Sequence, residues 1–137
     1  MNSIVVIIFF LMVLCHIIDD FVLQPICLSN LKQHSWWIDN ACNDGTGSFD
    51  WRKSEFYKND YKMALFIHSL SWSIMIHLPI FFFYAVNWWW PLITVFVNCG
   101  IHYFVDDLKA NKNMINLVQD QTIHFLQIIV TFFIYAL

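Results

Sequence analysis

Apolar residues in this chain come in long uninterrupted runs, without the three-and-four or alternating rhythm of half-buried helices and strands. The first extends from Ile4 to Leu23, and at 1.5 Å per residue such a run crosses a hydrocarbon core of about 30 Å. It lacks a basic segment before it and a small-x-small cleavage site after it, so it is read as part of the mature chain and not as a leader. The second run, Met63 to Val86, carries His-Leu-Pro at positions 77 to 79, with a local bend expected at Pro79. Asn87 and the triplet Trp88, Trp89, Trp90 mark a tight turn at a membrane surface, where tryptophans anchor. Pro91 opens a third run to Leu108, and a fourth starts at Leu117. With their flanks, the spans fall at 4–24, 62–86, 90–108 and 117–137, and a polar connector occupies 25–61, all within a single membrane domain. Its least ordered-looking part is DNACNDGTGSFDW.

The expected fold is therefore an all-α integral membrane protein, a four-transmembrane-helix bundle with two short connectors and one long one. Composition agrees, since 59% of the 137 residues are hydrophobic and 12% charged, whereas soluble domains carry roughly 25% charge. Positive residues then orient the bundle. Lys32, Arg52, Lys53, Lys58 and Lys62 lie in the first connector, Lys109 and Lys112 in the third, and none in the second or at either end. The positive-inside rule makes the charged connectors cytoplasmic and puts both termini outside. The lipid bilayer is the first partner. A net charge of -3 excludes the basic footprint of a nucleic-acid binder. Cys15, Cys27, Cys42 and Cys99 form no CxxC pair, so neither a disulfide framework nor a zinc knuckle is expected.

Ionisable residues at membrane depth cost several kcal/mol on insertion scales and need partners or a function. The first span ends on His16, Asp19, Asp20, Gln24; the third on His102, Asp106, Asp107, Lys109; the fourth begins Asp120, Gln121, His124, Gln127; the second adds His68. His16 and Asp20, His102 and Asp106, and Asp120 and His124 are four apart, one turn above another on a single helix face. Depth adds more than spacing. Counted from Gln24, Lys62, Lys109 and Asn116, the four histidines lie six to eight residues in, about 9 to 12 Å. Their aspartates lie about 5 to 6 Å in, as a second tier toward the cytoplasm. Four helices bringing imidazoles to one level predict a polar cavity open to the cytoplasmic side.

Imidazole and carboxylate together suit Zn, Mn or Fe, and carboxylate-bridged metal pairs occur in the di-iron bundles, although their Glu-x-x-His pattern is absent here. His16, His68, His102, Asp106 and His124 are the candidate ligands of a divalent metal. Asp20 and Asp120 are candidates to bridge, orient a histidine or act as base, and Lys109 to hold an anionic substrate. Beside these stand plainer expectations. Lys109 taken alone reads as a snorkelling anchor. His77, nine residues from His68, faces the other way and reads as a structural histidine near Pro79. His34 reads as a surface residue. Asp19 and Asp107, each one position from a motif carboxylate, read as solvent-facing. Asn98 and Gly100 read as sites of close helix packing or an interhelical hydrogen bond.

The elements H-x-x-x-D-F-x-L-Q at His16 to Gln24, His68 in LFIHSL, H-x-x-x-D-x-x-K at His102 to Lys109 and D-Q-x-x-H at Asp120 to His124 occur in this order over nearly the whole chain. In this the chain resembles the small bacterial and phage membrane proteins catalogued as domain of unknown function 3307. That family has no assigned activity, so the resemblance implies a fold, a set of positions and a bacterial inner-membrane setting. Asp19 stands where the family commonly has glycine, and the long first connector is atypical.

The leading functional expectation is a divalent-metal-dependent hydrolase of a lipid-linked or phosphorylated substrate, working at a cytoplasm-facing His/Asp site. One alternative is a pore, proton path or small transporter using the same layer as a relay. The other is a non-catalytic phage-type membrane interaction protein, acting on a host membrane protein through the Trp-rich connector. A homo-oligomer is compatible with Asn98 and the aromatic second span.

Overall fold

A computed structural model describes residues 3–24, 26–43, 48–83, 87 and 89–136 of the chain. The fold is all-α. Helix α1, Ser3–Ile17, runs into a π-helical turn, Ile18–Leu23, and the connector carries α2, Ile26–Leu31, α3, His34–Asn40, and α4, Trp51–Tyr57. Three long helices follow: α5, Asp60–Phe83, α6, Trp89–Ala110, and α7, Leu117–Ala136. Ser3–Leu23, Trp51–Phe83 and Leu117–Ala136 are long and apolar enough to cross a membrane. These are three of the four expected spans. α6 has the length, 22 residues, but Pro91, Asn98, His102, Asp106 and Asp107 lower its mean hydropathy.

The bundle is inside out by the standard of a water-soluble protein. Thr94, Asn98, His102 and Asp106 form a buried i, i+4 stripe on α6, and Asp120, His124, Gln127 and Thr131 form one on α7 at steps of four, three and four. The outward faces carry Ile93, Phe96, Val97, Phe104, Leu126, Val130 and Phe133, each at least 50% exposed. In lipid, apolar burial gives helices no reason to associate, so packing and interhelical hydrogen bonds must hold them. The packing is supplied by Ile8 and Met12 of α1, Trp72, Ile76 and Ile80 of α5, and Ile128 and Phe132 of α7, one buried cluster away from the connectors. α5 is the central helix and packs most extensively on α6, then on α1. Pro79 lies inside α5 and is buried.

Local signals place the helix ends. Asp50 caps α4, its carboxylate accepting from Arg52 N at 2.9 Å and Lys53 N at 3.4 Å. Asn116 and Gln119 form a reciprocal capping box at the start of α7, Gln119 N to Asn116 Oδ1 at 2.9 Å and Asn116 N to Gln119 Oε1 at 3.0 Å. This start puts Asp120 in the first turn of α7 and His124 one turn deeper. Between α6 and α7 the chain turns through Asn113, whose φ of 53° an asparagine tolerates.

The polar connector is largely helical. Trp37 donates its indole N–H to Leu31 O at 2.9 Å and stacks on Tyr57 with centroids 5.4 Å apart, so it holds the connector together. An isolated bridge joins Asn43 and Phe49, while 44–47, the middle of the stretch expected to be least ordered, lie outside the described residues. So do 84–86 and Trp88, one residue of the expected tryptophan turn; Trp89 and Trp90 begin α6 and are exposed. All four cysteines are free. Gly100 corrects another expectation, because a Cβ built there meets nothing within 4 Å. Replacing it with alanine should raise stability in detergent by about 0.5 to 1 kcal/mol, the helix-propensity gain; a lower thermal midpoint would reveal an unseen packing role.

Candidate metal centre

Four elements deliver the polar residues near the connector end. α1 brings His16, and the π turn after it brings Asp19 and Asp20 together. An i→i+5 hydrogen bond, Gln24 N to Asp19 O at 3.0 Å, marks the extra residue in that turn. Two consecutive aspartates thereby reach the interior. Asp19 is 2% exposed, accepts from Ser71 Oγ at 2.7 Å and has its other oxygen 3.8 Å from His68 Nδ1. The solvent-facing reading of Asp19 is corrected: within the π turn its carboxylate packs against α5, where Ser71 and His68 receive it. Asp107 does stay at the edge, bonded to Asn111 at 2.9 Å and Lys112 at 3.0 Å.

The four imidazoles meet. His102 stacks on His124 with centroids 3.9 Å apart and on Trp72 at 4.3 Å, while His68 lies 5.1 Å from His102 and His16 lies 6.3 Å from His124. Trp72 was not anticipated, although it follows His68 by four residues on the same face of α5. Its ring sits among His16, His102 and His124. Its indole N–H also settles the role of one nitrogen. Indole donates and never accepts, so His16 Nδ1, 2.8 Å away, accepts. That lone pair is used, and His16, expected as a ligand, stands outside both groups of donors close enough to share an ion.

Those groups are Asp20, His68 and His102, and His102, Asp106 and His124, each with donor atoms within 4.8 Å of one another. His68 Nε2 is 3.2 Å from His102 Nε2 and 3.5 Å from both Asp20 Oδ1 and Asp106 Oδ2. His124 Nε2 is 3.4 Å from Asp106 Oδ1 and 3.3 Å from Asp120 Oδ1. His102 Nε2 is 3.7 Å from Asp106 Oδ1. Imidazoles and carboxylates are thus in direct contact across α1, α5, α6 and α7.

A residue missed in the sequence closes the connector side. Lys32, at the corner between α2 and α3, is 6% exposed and places Nζ 2.6 Å from Asp106 Oδ2. Asn111 holds that corner, donating to Lys32 O at 3.1 Å and accepting from His34 N at 2.8 Å. The His34 ring is itself exposed, as expected, against Tyr61. Lys109 reaches across to Asp120 Oδ2 at 2.6 Å. The result is a nearly symmetric chain in which each lysine holds the Oδ2 of an aspartate whose Oδ1 faces His124 Nε2. His102, His124 and Asp120 have no exposed surface. The expected open cavity is corrected: these groups form a buried cluster flanked by two lysines.

The donor set fits a divalent cation on three counts. Ligands around a tetrahedral ion with bonds of about 2.0 to 2.1 Å stand roughly 3.3 Å apart, and the donor pairs here lie between 3.2 and 3.7 Å. Asp20 Oδ1, Asp120 Oδ1 and His124 Nε2 are buried with no hydrogen-bond partner, an arrangement that costs free energy unless something else satisfies them. Finally, four carboxylates, Asp19, Asp20, Asp106 and Asp120, outnumber the two ammonium groups, Lys32 and Lys109, that reach the cluster. The interior thus holds a His/Asp cluster able to coordinate a divalent ion.

Away from the charged connectors, buried polar residues lie in the same half as the apolar cluster. His77 is buried and bonded to Ser73 O at 2.7 Å and Thr94 Oγ1 at 2.9 Å, in keeping with its structural reading. Asn98 donates to Thr131 Oγ1 of α7 at 2.9 Å, the interhelical hydrogen bond that its position suggested. Comparison with protein families, with curated proteins and with solved structures gives no match to this chain.

Proposed function

We propose that the chain crosses a bacterial inner membrane four times, with both ends outside and the charged connectors cytoplasmic. Its connector-side chamber holds a divalent ion, Zn, Mn or Fe, for hydrolysis of a lipid-linked or phosphorylated substrate. α6 is the fourth crossing: its 22 residues span about 33 Å, and Asp106, Asp107 and Lys109 fall in its last turns, where they face the interior or reach the interface. The seven positive residues on one side support the orientation. The resemblance to domain of unknown function 3307 supports the bacterial or phage setting.

The observation that carries the chemical reading is the convergence of His68, His102 and His124 through Nε2 on Asp20 and Asp106, at ligand spacing and with partnerless donors among them. A divalent ion bound there supplies a hydroxide nucleophile at neutral pH. Asp120, beside His124 and with Oδ1 unpartnered, is the group for proton abstraction; Asp20 completes the ligands. Lys109, with its side chain 35% exposed at the rim, is in position to meet an anionic head group.

The outer half supports a one-sided site over a conducting path. Gln127 and Asn98 stand between His124 and the outer polar residues. A carboxamide both donates and accepts but relays a proton only through its high-energy imidic form, so these two residues interrupt a proton wire. Elemental analysis of detergent-purified protein is the test. About one equivalent of divalent metal per chain is expected, as for a single closed site. Folded protein with less than about a tenth of an equivalent after incubation with Zn, Mn or Fe overturns the reading.

A further inference from the structure

The buried stripe beyond His124 has an orientation that can be read without ambiguity. Thr94 O is a backbone carbonyl and can only accept, so the Asn98 side-chain atom 3.0 Å from it is the amide nitrogen. The other side-chain atom of Asn98 is then its oxygen. Gln127 places one atom 3.2 Å from both that oxygen and the Asn98 backbone carbonyl, which makes this atom its nitrogen. The remaining Gln127 atom is an oxygen, 3.2 Å from His124 Nδ1. An amide oxygen cannot donate, so Nδ1 must carry a proton.

We propose that Gln127 and Asn98 are positioning residues for the metal centre, fixing the proton of His124 on Nδ1 so that the Nε2 lone pair is the one offered to the ion. The inference rests on the metal reading for its purpose but not for its geometry. A neutral imidazole has one lone pair, and the carboxylates of Asp106 and Asp120, 3.4 and 3.3 Å from Nε2, would by themselves draw the proton to that side. A hydrogen there would point at the incoming cation. Gln127 opposes this from behind the ring, as outer hydrogen-bond partners do for ligating histidines generally. Asn98 prevents Gln127 from rotating its nitrogen toward the ring, and Thr94 O anchors Asn98. Three residues on two helices thus translate the direction of one backbone carbonyl into the tautomer of one ligand.

The test uses the full chain in detergent micelles with 15N-labelled histidine, together with competitive Zn titration against a chelator. Metal-free wild type should show His124 Nδ1 protonated, whether or not Nε2 is also protonated; a bare Nδ1 overturns the inference and needs no variant. Gln127→Met keeps the volume and removes the acceptor. It should move the proton to Nε2 and weaken Zn binding about 10- to 100-fold, the usual loss with an outer partner. Gln127→Glu keeps an acceptor and should bind Zn as well as wild type or better. Unchanged affinity and an unchanged Nδ1 signal in Gln127→Met, or equal loss in both variants, overturns it. If wild type binds no Zn, the metal reading fails separately, while the nitrogen spectrum still decides the tautomer.

Discussion

Asp106→Ala is expected to destabilise the protein by about 3 to 5 kcal/mol, the cost of breaking a buried ion pair by removing one partner. The substitution strands the Lys32 ammonium, which is 6% exposed and held to Asp106 Oδ2 at 2.6 Å. Asn111 fixes its backbone corner through Lys32 O and His34 N, so relief can come only from rotation of the lysine side chain itself. Removing both charges should behave differently. A Lys32→Met, Asp106→Leu double variant should recover most of the lost stability, since well-packed apolar groups commonly replace a buried pair at little cost. It should nevertheless bind metal more weakly than wild type, because Asp106 Oδ1 is lost from the donors around His102 and His124 while Asp20, His68 and His102 remain. Denaturant titration in micelles separates the cases; a loss below about 1 kcal/mol in Asp106→Ala would mean that the pair is solvated like a surface bridge.

His102→Phe is expected to abolish metal binding almost completely while leaving the fold in place. His102 is the residue common to both donor groups, so its loss leaves two donors in each, and affinity should fall by more than the 10- to 100-fold seen with outer partners. Phenylalanine preserves the ring stacked between Trp72 at 4.3 Å and His124 at 3.9 Å, which keeps a packing defect from imitating the loss. His16→Phe is the contrast. His16 accepts from Trp72 Nε1 and lies outside both groups, so binding should survive it at near wild-type strength. Zn titration of the two variants side by side checks both, and equal losses would mean that His16 ligates after all.

Depth was legible in the sequence because it needs only a count of residues from each polar edge. That count brought His16, His68, His102 and His124 to one level, and their rings do meet. Direction around the helix axis was less legible. Trp72 had a usable signal, one turn from His68, but an aromatic residue in an apolar run looks like ordinary core. Asp19 was misread because a 100° step per residue assumes α-helical winding, and no residue in IDDFVL announces a π turn. Lys32 carried no signal at all: it looked like any other positive connector residue, and its burial depends on how α2 and α3 fold back over the bundle. α6 shows the opposite limit. The residues that make it functionally interesting are those that dilute its apolar character below that of the other three long segments. The tautomer of His124 lay beyond any one-dimensional reading, since Asn98 and Gln127 are on different helices.

The π turn at Ile18–Leu23 carries two neighbouring aspartates to opposite edges of one ring, Asp19 Oδ2 3.8 Å from His68 Nδ1 and Asp20 Oδ1 3.5 Å from His68 Nε2. With Ser71 Oγ also bonded to Asp19 at 2.7 Å, a single widened turn clasps α5 at two residues one turn apart. Rotation of the His68 ring is thereby resisted from both sides by the backbone of its neighbour.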